Sequence, residues 1–216
     1  MELSHRITDG TVTYPGLPGP QVGSYLARGE SEGHYAPGTS FEISRITMVG
    51  NTGTYLDAPY HRFADGADVA DLPAERFADL EGVLVRVTGQ HSRAVTREAF
   101  LPYDVAGRAV LVHTGWDVHF GTETYGGDGH PYLTGDAVAY LVGAGAALVG
   151  IDSLNVDDTA DPRRPAHTGL LGAGIPVVEH LTGLDQLPVT GFRFHAAPPR
   201  IAGLATSIVR AYAVLG

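Results

Sequence analysis

The fold is organised around residues 51–61, which read Asn51-Thr52-Gly53-Thr54-Tyr55-Leu56-Asp57-Ala58-Pro59-Tyr60-His61. One carboxylate, one imidazole, two phenols and one carboxamide lie in this stretch, and its glycine and proline disfavour a regular helix. Convergent polar groups on a loop held by a rigid scaffold are typical of a functional site. The alternative is a surface turn in which Asn51 and Asp57 only cap the backbone.

The residues before this stretch predict a β-strand over 41–49. Phe41 and Ile43 alternate with polar residues, and the alternation resumes one residue out of phase after Ser44-Arg45, as a β-bulge would allow. Residues 1–40 are rich in Gly, Pro and Ser and predict a loop that covers either the site or a neighbouring subunit. A strand that opens into a polar loop therefore leads into residues 51–61.

The residues after this stretch alternate between helical and buried-strand patterns. Buried strands are predicted at 83–87, 109–112 and 146–151, with a helix from Thr134 to Val142 between the last two. Short helices are predicted at 72–77 and 96–100, and further strands at 177–178, 192–197 and 206–214. Helices that alternate with buried strands indicate an α/β fold. With no linker or repeat, we expect a single domain over residues 1–216.

Composition excludes several classes of function. The net charge of −10 argues against nucleic acid as a partner. The partner that we expect is a small-molecule substrate. All fourteen basic residues are arginine and there is no cysteine, so a lysine Schiff base, a thiol nucleophile and thiolate metal ligands are excluded. No apolar run approaches the roughly 20 residues that cross a bilayer, and no secretory leader is visible, so we expect a cytoplasmic protein without membrane contact.

Ionisable residues follow three of the predicted strands. These are Asp57 with His61, Asp152, and His167 with Glu179. Because ligand sites in α/β sheets gather beyond the carboxyl ends of strands, the three loops could converge. Asp57, His167 and Glu179 together would offer oxygen and nitrogen ligands that suit Zn, Mn or Fe(II). The other histidines have no local partner set and are expected to be structural.

These residues resemble the metal-dependent cyclase and kynurenine-formamidase-like hydrolase family, whose pattern is His-x-Gly-Thr-His-x-Asp-x-Pro-x-His after a strand. Residues 51–61 follow this pattern, and His167 and Glu179 have the twelve-residue spacing of the family. The N-terminal segment from Leu3-Ser4-His5 to Tyr14-Pro15-Gly16 is also similar. Further matches are His61-Arg62-Phe63-Ala64-Asp65-Gly66, Thr114-Gly115-Trp116-Asp117, His130-Pro131-Tyr132-Leu133 and Gly150-Ile151-Asp152-Ser153.

The resemblance implies a swivelling β/β/α fold, with a mixed, partly barrel-like sheet and flanking helices, in a homodimer or homotetramer. In two-metal members, the two leading histidines and the aspartate bind one metal ion. That aspartate, a later histidine and a glutamate bind the second. By position, Asp57, His167 and Glu179 match the ligands of the second metal, and His61 matches the acid–base catalyst.

The chain departs from the family at two positions, because Asn51 and Tyr55 replace metal-binding histidines. A carboxamide and a phenol are poor ligands for Zn or Mn, so the chain binds either one such ion or none. Both residues can donate hydrogen bonds to an oxyanion.

The resemblance together with these two substitutions leaves three functions open. The favoured one is ring closure, isomerisation or dehydration of a small carbonyl compound. His61 would be the acid–base residue, oriented by Asp57 or Glu179, and Tyr55 and Asn51 would be the oxyanion donors. The first alternative is arylformamidase-like, metal-dependent hydrolysis of a small amide, lactam or lactone. The second alternative is a binding protein without catalysis.

Overall fold

The computed structural model describes residues 1–216 as a mixed sheet with few helices. The helices are α1 (Arg28–Ser31), α2 (Gly135–Gly143) and α3 (Pro165–Gly172). None of them is long and apolar enough to cross a membrane. The strands, in chain order, are β1 (Gln21–Leu26), β2 (Ile43–Thr47), β3 (Tyr55–Asp57), β4 (Leu80–Arg86), β5 (Ala94–Val95), β6 (Ala109–His113), β7 (Tyr132–Leu133), β8 (Leu148–Ile151), β9 (Val177–Glu179), β10 (Phe192–His195), β11 (Thr206–Ile208) and β12 (Tyr212–Leu215).

Eight strands form the central sheet in the order β11-β3-β9-β8-β6-β4-β10-β12. The four inner strands β9, β8, β6 and β4 are parallel, whereas the two strands at each edge are antiparallel to their neighbours. The sheet curls into a partly barrel-like surface, and β1-β2 and β5-β7 form two small separate ladders. This architecture confirms the predicted α/β fold.

The inner strands are buried because apolar side chains cover both of their faces. On β4, Val83 and Val85 point into one apolar core and Leu84 points into the other. Helices α2 and α3 contribute to the first core. The predicted strands at 83–87, 109–112 and 146–151 and the helix after Thr134 are confirmed within a few residues.

The prediction for residues 1–49 is partly wrong. Strand β2 is shorter than predicted and exposed, and it pairs with β1 in a segment predicted to be a loop. The register irregularity lies between Ser24 and Leu26 of β1 rather than at Ser44-Arg45. The apolar residues of β2 alternate without being buried, so the alternation did not indicate membership of the main sheet. Instead, Tyr55–Asp57 itself forms the buried strand β3, and this strand carries the site.

Two further predictions also need correction, and one helix was not predicted. The predicted strand 206–214 is two strands, because residues 209–211 carry the chain from β11 at one edge of the sheet to β12 at the other. The short helices predicted at 72–77 and 96–100 are single 3-10 turns at Ala74–Arg76 and Arg97–Ala99. The glycine-rich segment that contains His167 forms α3, which begins at Pro165, a residue well suited to the first helical turn.

Candidate active site

Three adjacent strands bring the predicted site residues together through their register. On β3, Tyr55 and Asp57 are two residues apart and therefore share a face. Tyr55 lies opposite Glu179 of β9, and Asp57 lies opposite Thr206 of β11. His61 follows on the 3-10 turn Pro59–His61, and His167 comes from α3.

The start of the motif is shaped by the N-terminal segment, which packs against it. Gly53 has a positive φ of 62°, and a Cβ there would lie 2.7 Å from Ile7, so only glycine fits. Its N–H donates to Thr13 Oγ1 at 2.6 Å. The Thr54 hydroxyl accepts from the backbone N–H of His5 and donates to the carbonyl of His180 at 2.6 Å. These contacts fix the backbone that leads into Tyr55 and Asp57.

Asp57 is fully buried, and only one of its two carboxylate oxygens accepts a hydrogen bond. Its Oδ1 accepts a hydrogen bond from Thr206 Oγ1 at 2.5 Å, whereas its Oδ2 has no hydrogen-bond partner. Burial acts to raise the pKa of Asp57, but His167, whose Nε2 lies 3.5 Å from Oδ2, and the charge of His61 hold that pKa below its usual value. A buried carboxylate oxygen without a donor is unfavourable, so this oxygen is suited to a cation.

His167 is held with one ring nitrogen facing the two buried carboxylates. Its Nδ1 is bonded to Asp157 Oδ2 at 2.7 Å, and Asp157 also accepts the backbone N–H groups of Ala166 and His167 at the start of α3. The Nε2 atom lies 3.5 Å from Asp57 Oδ2 and 3.7 Å from Glu179 Oε1. Burial acts to lower the pKa of His167, but these carboxylates raise it well above its usual value.

Glu179 is held by a hydrogen bond at each oxygen. Oε1 accepts the backbone N–H of Val156 at 2.6 Å, and Oε2 accepts the hydroxyl of Tyr55 at 2.7 Å. Burial raises the pKa of Glu179 to about 7, against the charge of His167 and these two bonds. Burial and the charge of Glu179 raise the pKa of Tyr55 well above its usual value, so Tyr55 is a neutral phenol.

Behind Tyr55 lies a buried chain of hydrogen bonds. His180 Nε2 is 3.0 Å from the Tyr55 hydroxyl, and His180 Nδ1 is 2.7 Å from the Tyr125 hydroxyl. Burial lowers the pKa of His180 to about 3, so this ring is neutral. Because Tyr55 gives its proton to Glu179, His180 donates from Nε2 and accepts from Tyr125 at Nδ1. The hydroxyl of Tyr55 is therefore fully engaged by protein groups.

His61 is the most exposed of the four ionisable residues Asp57, His61, His167 and Glu179, which we call the cluster, with 35% of its side chain accessible. Its Nδ1 lies 3.0 Å from Thr206 Oγ1. The Thr206 hydroxyl has one proton and donates it to Asp57, so it accepts from an N–H at Nδ1 of His61. This leaves Nε2 of His61 as the free basic nitrogen.

These groups border a cavity of about 490 Å³, a volume in the range of small-molecule sites. Residues 14–17 of the N-terminal segment cover it from the same chain, so Leu17 lines this pocket. The lining residues are Tyr14, Pro15, Gly16, Leu17, Asn51, Tyr55, His61, Arg62, Asn155, Arg164, His167 and Glu179.

The cluster fits one divalent cation. Ligand atoms around a tetrahedral ion with bonds of roughly 2.1 Å lie roughly 3.4 Å apart. The separations of 3.5 and 3.7 Å from His167 Nε2 to the two carboxylates are close to this value. His61 is also within reach, because ligand atoms of Asp57, His61 and His167 lie within 4.8 Å of one another. A nitrogen and oxygen ligand set of this kind suits Zn or Mn.

A second ion does not fit at the positions where the family pattern has its leading histidines. The Tyr55 hydroxyl is bonded to Glu179 and His180, and its pKa is well above the usual value. Asn51 offers only a neutral amide oxygen, which is a weak ligand for Zn or Mn. The residues therefore fit a single-ion site.

All six predicted site residues lie in or against this cavity, but Asp152 does not. Its carboxylate accepts N–H and hydroxyl bonds from Thr114 and the N–H of Gly115, which fixes the loop after β6. Burial raises the pKa of Asp152 to about 7, against those bonds. Asp152 is thus a loop-holding residue, and the expectation that it joins the site is wrong.

Sequence reasoning missed Thr206, Asp157 and His180. Each acts through a contact set by sheet register or by the position of α3, so no local pattern marks it. His180 was expected to be structural, and it lies directly behind Tyr55.

Comparisons with known proteins identify the family of the chain. Residues 1–158 match the family model described as "Putative cyclase". The chain is 29% identical over 213 residues to a kynurenine formamidase of Geobacillus thermodenitrificans, covering 98% of this chain and 95% of that one.

Two solved structures share the fold. An isatin hydrolase A from Ralstonia solanacearum superposes with a TM-score of 0.84 at 22% identity, covering 100% of this chain and 91% of that one. A protein described as a potential metal-dependent hydrolase with cyclase activity has a TM-score of 0.80 at 24% identity, with coverage of 98% and 94%. On the match over residues 1–158, the chain belongs to the Cyclase family of cyclase- and hydrolase-type enzymes.

Proposed function

We propose that this enzyme is a hydrolase of a small amide, lactam or lactone that uses one divalent metal ion. The observation that carries the proposal is the buried Asp57 Oδ2, which has no hydrogen-bond partner and lies 3.5 Å from His167 Nε2. A cation between these two groups would compensate the charge of the buried carboxylate. The similarity to a kynurenine formamidase and the description of a structural neighbour as metal-dependent support the same proposal.

Asp57, His167 and Glu179 would hold the ion. When bound, a Zn or Mn ion at these residues supplies a Lewis acid that polarises a carbonyl group and lowers the pKa of water. Asp157 fixes the ring of His167 through Nδ1, as carboxylates commonly do for metal-binding histidines. Tyr55 fixes the carboxylate of Glu179 in the same way.

His61 is the acid–base residue of the proposed reaction. Its free Nε2 takes a proton from the attacking water and returns it to the leaving amine or alkoxide. Thr206 positions the ring, because its hydroxyl joins Nδ1 of His61 to Oδ1 of Asp57. The partial exposure of His61 lets substrate reach this nitrogen.

Asn51 is a neutral hydrogen-bond donor that lines the cavity beside Tyr55. Its side-chain amide has N–H groups that can hold a substrate oxygen. Tyr55 is less suited to this task, because its only proton already goes to Glu179. The hydrogen bond from Tyr55 to Glu179 therefore favours metal-dependent hydrolysis over the metal-free reaction, in which Tyr55 would be an oxyanion donor.

The second candidate is metal-free ring closure, isomerisation or dehydration, with His61 as base and with Tyr55 and Asn51 as oxyanion donors. It is favoured by the fact that both donors line the cavity. Tyr55 would then have to release Glu179 during the reaction.

Metal analysis and activity assays decide between the two candidates. We expect the purified protein to contain about one Zn or Mn per chain, and a chelator to abolish hydrolysis of an aryl formamide, a lactam or a lactone. Turnover that survives removal of the metal and is lost in Tyr55→Phe would establish the second candidate instead.

A homo-oligomer is also part of the proposal. Strands β1 and β2 form a hairpin outside the main sheet, and Val22, Tyr25, Ile43 and Ile46 are between 46% and 70% exposed on it. Several exposed apolar residues on one hairpin support contact with a second copy of the chain.

A further inference from the structure

Two arginines line the same cavity as His61 and Glu179. They are Arg62, which follows His61 in sequence, and Arg164, which precedes α3. Neither has a carboxylate within 4.0 Å, whereas the neighbouring Arg163 is paired with Asp161 at 2.8 Å. Two unpaired guanidinium groups beside one cavity are notable in a chain with a net charge of −10.

The guanidinium group of Arg62 is held at the rim with its outer edge free. Its Nε donates to Thr168 Oγ1 at 3.2 Å, and its central carbon lies 5.3 Å from the centroid of the Phe63 ring. The two terminal nitrogens make no hydrogen bond to the protein. A fixed fork with two free terminal N–H groups is the arrangement that binds a carboxylate through two parallel bonds.

Arg164 is placed at the cavity by an unusual backbone conformation. It has φ 49° and ψ 60°, in the left-handed region that residues other than glycine seldom adopt. Pro165 follows it, and Asp157 holds the next two N–H groups at the start of α3. Strain of this kind is frequently retained where a side chain must be aimed at a ligand. The turn that presents His167 therefore also presents Arg164.

Tyr14 of the N-terminal segment lies beside Arg164. Burial raises the pKa of the Tyr14 phenol, while the charge of Arg164 opposes that rise. One Arg164 nitrogen also donates to the carbonyl of Asp158 at 3.2 Å, which restrains the guanidinium group. The rim therefore has two cationic groups and a phenol, all with hydrogen-bond donors.

Charge is thus separated within the cavity. The buried end contains the carboxylates of Asp57 and Glu179, which suit a cation, and the rim contains the two arginines. A substrate that fits both ends has a reacting carbonyl near the buried carboxylates and an anionic group near the rim.

Resting on the proposed function, we propose that the substrate carries a carboxylate that is bound by Arg62 and Arg164. The planar fork of arginine matches a carboxylate better than it matches a neutral amide or ester. Arg62 and Arg164 are then specificity residues: they orient the carbonyl of the substrate towards His61 without taking part in bond cleavage.

Binding of matched ligands tests this proposal without requiring turnover. Calorimetric titration would compare benzoate with benzamide for the wild type, Arg62→Gln, Arg164→Gln and the double variant. Charge-assisted hydrogen bonds predict that benzoate binds about tenfold to hundredfold more tightly than benzamide to the wild type. We expect this preference to fall in each single variant and to disappear in the double variant. Arg163→Gln, which removes an adjacent arginine outside the cavity, should leave the preference unchanged.

Equal binding of benzoate and benzamide, or a preference that persists in the double variant, would overturn the proposal. Tighter binding of phenyl phosphate than of benzoate would also overturn it, in favour of a phosphate ester. The thermal unfolding temperature of each variant shows whether substitution of Arg164, which has a left-handed backbone conformation, destabilises the fold. If Arg164→Gln does not fold, Arg62→Gln decides alone, because residue 62 has ordinary backbone angles.

Hydrolysis of 2-formamidobenzoate and formanilide separates this inference from the proposed function. Arginine-dependent benzoate binding without hydrolysis of either compound keeps the carboxylate inference and rejects the hydrolase. Equal hydrolysis of both compounds, unaltered in ratio by the double variant, rejects the carboxylate inference and keeps the hydrolase.

Discussion

The Tyr55 hydroxyl donates to Glu179 Oε2 at 2.7 Å, across the antiparallel pair of β3 and β9. This hydrogen bond gives Tyr55 a supporting role at a position where the family pattern has a metal-binding histidine. The phenol supports the carboxylate that faces His167 and is itself supported by His180. Tyr55 thus holds the carboxylate of Glu179 in place and does not contribute an imidazole ligand.

Tyr55→Phe removes the hydroxyl that orients Glu179. We expect Zn affinity to fall by about tenfold to hundredfold, the usual effect of removing a group that holds a metal ligand. A competition titration against a fluorescent chelator measures this change. Tyr60→Phe is the control, because Tyr60 lies in the same motif, is 40% exposed and does not line the cavity. Unchanged affinity in Tyr55→Phe together with lost turnover would assign the phenol to the oxyanion instead.

Asp157→Asn tests the orientation of His167. The substitution weakens the bond at Nδ1 and one of the acceptors for the first N–H groups of α3. We expect metal affinity to fall by about tenfold or more, and the free energy of unfolding to fall by about 1 kcal/mol, as for the loss of a helix cap.

The same affinity and stability measurements on Asp161→Asn provide the control for Asp157. Asp161 is also a carboxylate near α3, but it pairs with the exposed Arg163 on the surface. Stability loss with full metal affinity in Asp157→Asn would mean that Asp157 serves the helix alone.

Thr206→Val removes the hydroxyl that joins Asp57 to His61. Without it, Asp57 Oδ1 loses its donor and Nδ1 of His61 loses its acceptor. We expect kcat to fall by about tenfold to hundredfold, with a smaller change in KM, because a misoriented base acts in the transition state. Thr206→Ser keeps the hydroxyl and should restore most of the rate. Equal rates in the valine and serine variants would exclude this positioning role.

The convergence of Asp57, His61, His167 and Glu179 could be anticipated from the sequence. Their spacing follows a family pattern, and Asp57 and Glu179 are the last residues of two buried strands. Thr206 could not be anticipated, because its contact with Asp57 spans 149 residues and depends on the register of β11. Asp157 gives no signal either, since it acts on α3 from a loop that lies outside the helix.

The fold shows the same division between local and long-range information. The inner strands are apolar on both faces, so their burial is visible in the residues themselves. Strand β1 lies in a polar, glycine-rich segment and pairs only with the exposed β2, so neither burial nor alternation marks it. Which group accepts the hydrogen bond from the Tyr55 hydroxyl likewise depends on residues that come into contact only in the folded chain.

The β1-β2 hairpin predicts self-association. Replacing Ile46 by Asp on its exposed face should convert a dimer or tetramer to monomer, because a charge in an apolar contact is unfavourable. Light scattering after size exclusion measures the mass. Val118→Asp, at an exposed apolar position that is not part of the hairpin, is the control. A wild-type protein that is monomeric at micromolar concentration would contradict the proposal.

From the lowered pKa of the buried His5, we predict that the protein loses stability in acid. Burial lowers the pKa of His5 to about 4, against the charge of Asp117, and the ring stacks on Phe120 at 3.7 Å. In the unfolded chain, His5 is protonated near pH 6.5, whereas in the folded chain it is not protonated until about pH 4. The stabilisation is therefore fully present above pH 6.5 and is lost as the pH falls through this window.

His5→Phe keeps the stacked ring and removes the proton-binding group, whose Nε2 is buried without a partner. Between pH 7 and pH 4, we expect the variant to lose about 2 kcal/mol less of its free energy of unfolding than the wild type, as measured by urea denaturation. His91→Asn, at an exposed position, should follow the wild-type curve. Parallel pH dependence in the wild type and His5→Phe would show that His5 is protonated in the folded protein as readily as in the unfolded chain.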